Sequence, residues 1–203
     1  MQYTAQVNRG GFLNVLFGQS YHLFGTNSFA VGDSTNTGLN TGLETDRSDY
    51  VARVSYQPDR ILTFSTRYRF DENNFSVRRF ELEGRANFDR WSLQALYGNY
   101  DKQPELGFLE RREGILGGAS VKLTPNWVLH GAARYDLDSD RFDQTRIGIG
   151  YVDDCLILAL NYITSYDYSA DVQVDHRVLL QLSLRTIAGT SFSTGVGGLP
   201  GGL

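Results

Sequence analysis

Apolar and polar residues trade places along most of this chain with a period of two. Leu62, Phe64, Tyr68 and Phe70 alternate with Thr63, Ser65, Arg67 and Arg69, and Phe80, Leu82, Gly84, Ala86 and Phe88 alternate with Arg79, Glu81, Glu83, Arg85 and Asn87. Near the end, Val178, Leu180, Leu182 and Leu184 oppose Gln181, Ser183 and Arg185. Successive side chains of a β-strand point to opposite faces, so this alternation predicts strands with one apolar face and one charged or small face. Ten strands are expected, at 12–22, 49–58, 60–70, 76–88, 90–100, 112–123, 127–137, 144–152, 155–167 and 176–187. Nearly all are longer than the roughly five or six residues usual in soluble sheets.

The links between these strands alternate as well. Pro58-Asp59-Arg60, Asp89-Arg90, Thr124-Pro125-Asn126 and Asp153-Asp154 are tight, whereas 71–75, 101–111, 138–143 and 168–175 are longer and a polar loop fills 23–48. Short turns at one end and long loops at the other describe an antiparallel up-and-down transmembrane β-barrel with its short turns in the periplasm. The strands occupy residues 1–187 on this reading, and a Gly-rich tail, 188–203, follows.

A barrel in lipid carries two belts of aromatic rings separated by an aliphatic band. Beside the tight turns, on the apolar parity, lie Tyr56, Phe88, Trp91, Trp127 and Tyr151; beside the long loops lie Tyr50, Tyr68, Phe70, Phe80, Tyr97, Tyr135 and Tyr166. From Trp127 to Tyr135 a tilted strand climbs roughly 19 Å, close to the height of a lipid-facing band. A soluble sandwich or lipocalin-like barrel would instead gather its aromatics in mid-strand to fill a core. Here the mid-strand apolar positions are often Gly or Ala, as at Gly117, Ala119, Gly131 and Ala133. The polar parity then lines a lumen: Arg67, Arg69, Glu81, Glu83, Arg85, His130, Arg134, Asp136, Arg146 and Arg185.

Composition narrows the class further. Twenty-two Gly, 12 Tyr and 12 Phe accompany four Pro, and Lys102 and Lys122 are the only lysines. Many rings in a chain of mean hydropathy just below zero imply rings displayed on a surface. The net charge of −4 is small and its charges are interspersed, so no nucleic-acid partner is implied. The start, MQYTAQVNRGGF, lacks the basic opening and apolar core of a secretory signal, so the sequence reads as a mature protein or a fragment of one. The longest apolar run, CLILAL at 155–160, is far below the roughly 18 residues of a spanning helix. Barrel strands escape that criterion.

The polar face carries little that resembles catalysis. His22, His130 and His176 lie on three different strands or strand ends, none at metal-ligand spacing from another His or the Cys, and no cofactor set is recognisable. Nothing marks a nucleophile with a base and an orienting group. The row Glu81, Glu83 and Arg85 has two readings: cross-strand ion pairing in a wet lumen, or a lining for an anionic substrate, to which arginine is well suited.

Two segments, GQSYHLFGTNSF at 18–29 and YVDDCLILALNYITSYDY at 151–168, with the hairpins between them, resemble the C-terminal barrel region of the LptD family of lipopolysaccharide-assembly outer-membrane proteins. That family shows a G-Q-x-Y element before a long loop and, later, an acidic turn with Cys opening a strand that continues into Ser-x-Tyr. The likeness runs from Gly18 to about Gly195. It implies a non-enzymatic translocon that inserts lipopolysaccharide into the outer leaflet. The substrate would arrive over a periplasmic bridge and an N-terminal domain outside this sequence. The implied partners are an LptE-like lipoprotein plug and membrane lipids, and the implied location is the Gram-negative outer membrane. It also implies a lateral gate where the first and last strands meet, with Val178, Leu180, Leu182 and Leu184 on one lip.

The single cysteine, Cys155, stands at a tight turn where well-known members carry an adjacent pair. By residue count alone, it has a partner outside the sequence or is an inert buried thiol at a strand end. The resemblance implies a disulfide to the N-terminal domain. A diffusion porin remains the alternative function, although the tail GTSFSTGVGGLPGGL is not the terminal aromatic strand that many porins use.

Overall fold

The computed structural model describes residues 1–7, 11–27, 29–30, 43–104, 107–168 and 173–184. Eleven strands form one sheet: β1 (Gln2–Val7), β2 (Gly11–Gly18), β3 (Tyr50–Gln57), β4 (Leu62–Phe70), β5 (Val77–Asn87), β6 (Trp91–Tyr100), β7 (Arg112–Lys122), β8 (Trp127–Asp136), β9 (Arg141–Val152), β10 (Leu156–Asp167) and β11 (Gln173–Leu184). Each pairs antiparallel with its sequence neighbours alone, so the sheet is a continuous meander whose outer edges, β1 and β11, do not meet. It is a barrel wall that is not closed. The ten expected strands are present, and residues 2–7 add an eleventh. The first expected strand stops at Gly18, short of residue 22; past it, Tyr21 makes only an isolated bridge with Arg47. The link expected at 138–143 tightens to 137–140, and β9 begins at Arg141. The tail 188–203, Arg185 and half of loop 23–48 lie outside the described residues.

The two parities become two unlike faces. Leu93, Ile147, Leu160 and Val178 stand exposed on the apolar face, while Asn14, Glu81, Gly98 and Gly148 on the polar parity are buried. The sheet therefore curls with its polar side inward. The buried apolar pair Ala159 and Ile163 also points inward, beside polar neighbours, and no conventional apolar core forms among the described residues.

Alternate turns fix the two ends. Asp59 accepts from the backbone N–H groups of Ile61 and Leu62, both at 2.8 Å, and Thr124 Oγ1 accepts from that of Trp127 at 3.1 Å. At the same end Phe88 stacks on Trp91 at 3.9 Å and Trp127 meets Tyr151 edge-on at 5.2 Å. The opposite belt is a near-continuous chain of rings, Phe17 to Tyr50, Phe75, Phe70, Tyr68, Phe80 and Tyr97, with centroids 4.6–5.9 Å apart. Between the belts small residues leave a shallow outward-facing groove of about 740 Å3, lined by Phe64, Gly84, Leu93, Ala95, Gly117 and Ala133 among others.

Candidate functional site

Pairing brings the charged parities of β4 and β5 into one inward patch, with Arg67 opposite Glu81 and Ser65 opposite Glu83. Arg67 donates to Glu81 at 3.2 Å and to Glu83 at 3.0 Å, forking between two carboxylates of the next strand. Arg79 reaches forward to Glu81 and Arg85 back to Glu83 along their own strand, each at 2.5 Å. Tyr100 adds its hydroxyl to Glu81 at 2.7 Å. That ring folds over Gly98, where a Cβ would come within 2.6 Å of it. Glu81 is only 5% exposed and is served by two arginines and a phenol. Such charge-assisted bonds offset the desolvation of a buried carboxylate.

A second cluster closes the outer end of the patch. Asp49 is buried just before β3 and accepts from Arg69 Nε at 2.6 Å and Arg78 at 3.4 Å, while Arg78 also bonds Asp71. Arg78 can reach them because the register slips between Arg69 and Phe70: Arg69 pairs with Arg79 but Phe70 with Val77. The extra residue is a bulge, which redirects a side chain that strict alternation would aim at lipid. Asp71 builds the following turn, accepting from Asn73 N–H at 2.7 Å and Asn74 N–H at 3.1 Å. The first of these bonds is the largest influence holding its carboxyl below the ordinary range; burial opposes it, and the second bond and Arg78 add to it.

His130 lies three strands from Glu81 and joins a different group. It shares a row with Gly148 and Asn161, and its Nε2 meets Asn161 Oδ1 at 2.7 Å across the strand between them. A Cβ at Gly148 would sit 2.5 Å from that nitrogen. His130 Nδ1 and Arg146 Nε are buried without a hydrogen-bond partner. Asp136 caps the 137–140 turn, accepting from the Asp138 and Ser139 N–H groups, and Arg134 stands exposed opposite Gln144. The lumen list thus resolves into an ion-paired patch, a histidine row and a turn cap. Asp49, Asp71, Arg78, Tyr100 and Arg112 were missing from it; consecutive arginines at 78 and 79 were the legible sign of a bulge.

Along β11, Val178, Leu180, Leu182 and Leu184 face outward opposite Tyr162, Leu160, Leu158 and Leu156. Cys155 sits exposed at the turn before β10 as a free thiol, so the buried alternative is wrong. A lone cysteine forms no disulfide within this chain, and the expected bridge has no support here.

A single antiparallel meander, polar on its enclosed side and apolar between two aromatic belts on the other, is the wall of a β-barrel and is consistent with the outer membrane. The chain belongs to the LptD family: the family model described as LptD, LPS transport system D, matches residues 3–108, just over half its length. That family is one of transport proteins, with lipopolysaccharide as its cargo. No curated protein matches the chain.

Proposed function

We propose that this chain is the gate-bearing wall of a lipopolysaccharide translocon. The saccharide passes along the inward polar face, the acyl chains leave through an opening beside β11, an LptE-like lipoprotein plugs the lumen and the periplasmic bridge delivers the substrate. The observation that carries this reading is β11 itself, a strand paired on one side only among the described residues, with an apolar outward row at Val178, Leu180, Leu182 and Leu184. An exposed edge in hydrocarbon leaves backbone groups unsatisfied at several kcal/mol each, so a barrel seam there is the natural place to open.

A cysteine at Leu182 oxidised to one on the strand that flanks β11 in the assembled barrel should stop lipopolysaccharide from reaching the cell surface and leave the barrel folded. Undiminished surface lipopolysaccharide with the seam locked would rule out an opening at β11, and steady conduction of small solutes by the barrel would favour a diffusion porin. On this reading Cys155, exposed at the short-turn end, would supply one half of a disulfide to a periplasmic domain. A mobility shift on non-reducing gels that vanishes in Cys155→Ser is the expected sign.

A further inference from the structure

We propose that Arg112 is an oxyanion-binding residue for phosphate or carboxylate groups on the saccharide, a reading that rests on the export function above. Arg112 opens β7 on the inward parity, in a row that runs Arg79, Tyr100, Arg112 across three strands. Its guanidinium carbon lies 3.4 Å from the ring centre of Phe108 and 5.7 Å from that of Tyr100, which Arg79 also approaches, at 4.9 Å. Rings against the face of a guanidinium leave its in-plane N–H edge available. Gln103 Oε1 accepts one of those bonds at 2.8 Å. The loop is built to keep these groups in place: Gln103 and Phe108 exchange two backbone bonds of 2.7 and 3.0 Å, and Gly107 at φ +84° turns the chain between them.

Charge balance points to a missing anion. Arg79 shares Glu81 with Arg67 and the Tyr100 hydroxyl, so that carboxylate has no capacity to spare. Among the described residues Arg112 makes no ion pair, and its Nε is buried with no hydrogen-bond partner. A buried N–H with no acceptor is costly, and for this half-buried guanidinium a phosphate or carboxylate oxygen is the acceptor that fits best. The position suits a polysaccharide leaving the lumen: the outer end of the inward face, with two rings beside the cation.

The test uses the full protein in cells, with a photoreactive benzoylphenylalanine at Leu109, near the site, or at Leu116, deeper on the inward face. We expect lipopolysaccharide adducts at both positions. Arg112→Gln should cut the Leu109 adduct about tenfold, the worth of one charge-assisted contact, and leave the Leu116 adduct unchanged. Arg112→Lys should restore part of it, and lipopolysaccharide stripped of its saccharide phosphates and carboxylates should mimic Arg112→Gln. A Leu109 adduct that ignores Arg112→Gln in a correctly folded barrel overturns the assignment, and so does an adduct made to phospholipid instead. Absence of lipopolysaccharide adducts at both positions overturns the export reading itself.

Discussion

At the scale of single residues, two glycines decide what the inward face can hold. Gly148 and Gly98 are flanked by larger partners that meet across the space a side chain would fill. Gly148→Ala would drive a methyl into the His130–Asn161 contact and should destabilise the folded chain by about 1–3 kcal/mol, measurable as a shift in its denaturant midpoint in detergent. His130→Ala together with Asn161→Ala in the same chain should recover most of that loss, because both clashing side chains are then gone. No recovery would mean that strain in the β9 backbone is the cause. Asp71 makes a pH-dependent counterpart. Its carboxyl titrates below the usual 3.8, so its bonds to Asn73 and Asn74 are intact above the ordinary carboxylate range and fail as pH falls through the depressed value. Amide exchange at those two residues, corrected for its intrinsic rate, should stay slow down to about pH 4 and accelerate below it. In Asp71→Asn that acid-dependent step should disappear.

At the scale of elements, the alternation of β4, β5, β10 and β11 was legible in the sequence because one face of each is apolar almost without interruption. Where the sequence misled, a bulge had broken the parity. Between Arg134 and Tyr135 the register slips so that Tyr135 pairs with Phe142, and Asp143 becomes the extra residue. Tyr135 and Phe142 then meet with centroids 4.9 Å apart, in a segment whose raw pattern reads as loop. The same device at Arg69 and Phe70 frees Arg78 to join Asp49 and Asp71, so the outer cluster was invisible to strict alternation. β1 went unassigned because QYTAQV is short and offers only Tyr3 as a large apolar side chain. Arg112 escaped notice for another reason: its partners, Gln103 and Phe108, come from a loop whose fold no periodicity encodes. The faces themselves can be tested at β10 and β11. Leu158→Arg places a cation in the lipid-facing row and should cost about 2–4 kcal/mol if it lies at mid-bilayer, whereas Gln181→Arg, inward on the adjacent strand, should cost under about 1 kcal/mol. A larger penalty for Gln181→Arg in a lipid refolding titration would mean that the faces are reversed, and equal penalties would mean that neither face is turned to lipid.

At the scale of the whole molecule, strand direction limits how the wall can close. β1 runs toward the short-turn end, and so does β11, which enters from the opposite end after residue 168. Joining the two directly would make a parallel pair in a sheet whose every other pair is antiparallel. Closure with antiparallel neighbours throughout requires an odd number of further strands between them, bringing the total to the even count usual in bacterial barrels. Hydrocarbon enforces closure of some kind, since each unsatisfied backbone group there costs several kcal/mol. Cysteines at Tyr3 on β1 and Val178 on β11, in a Cys155→Ser background, should therefore stay unlinked under oxidation when the full protein is in its membrane, because intervening strands hold them apart. Efficient cross-linking would show that these eleven strands close on themselves through one parallel seam, and the gate would then lie between β1 and β11.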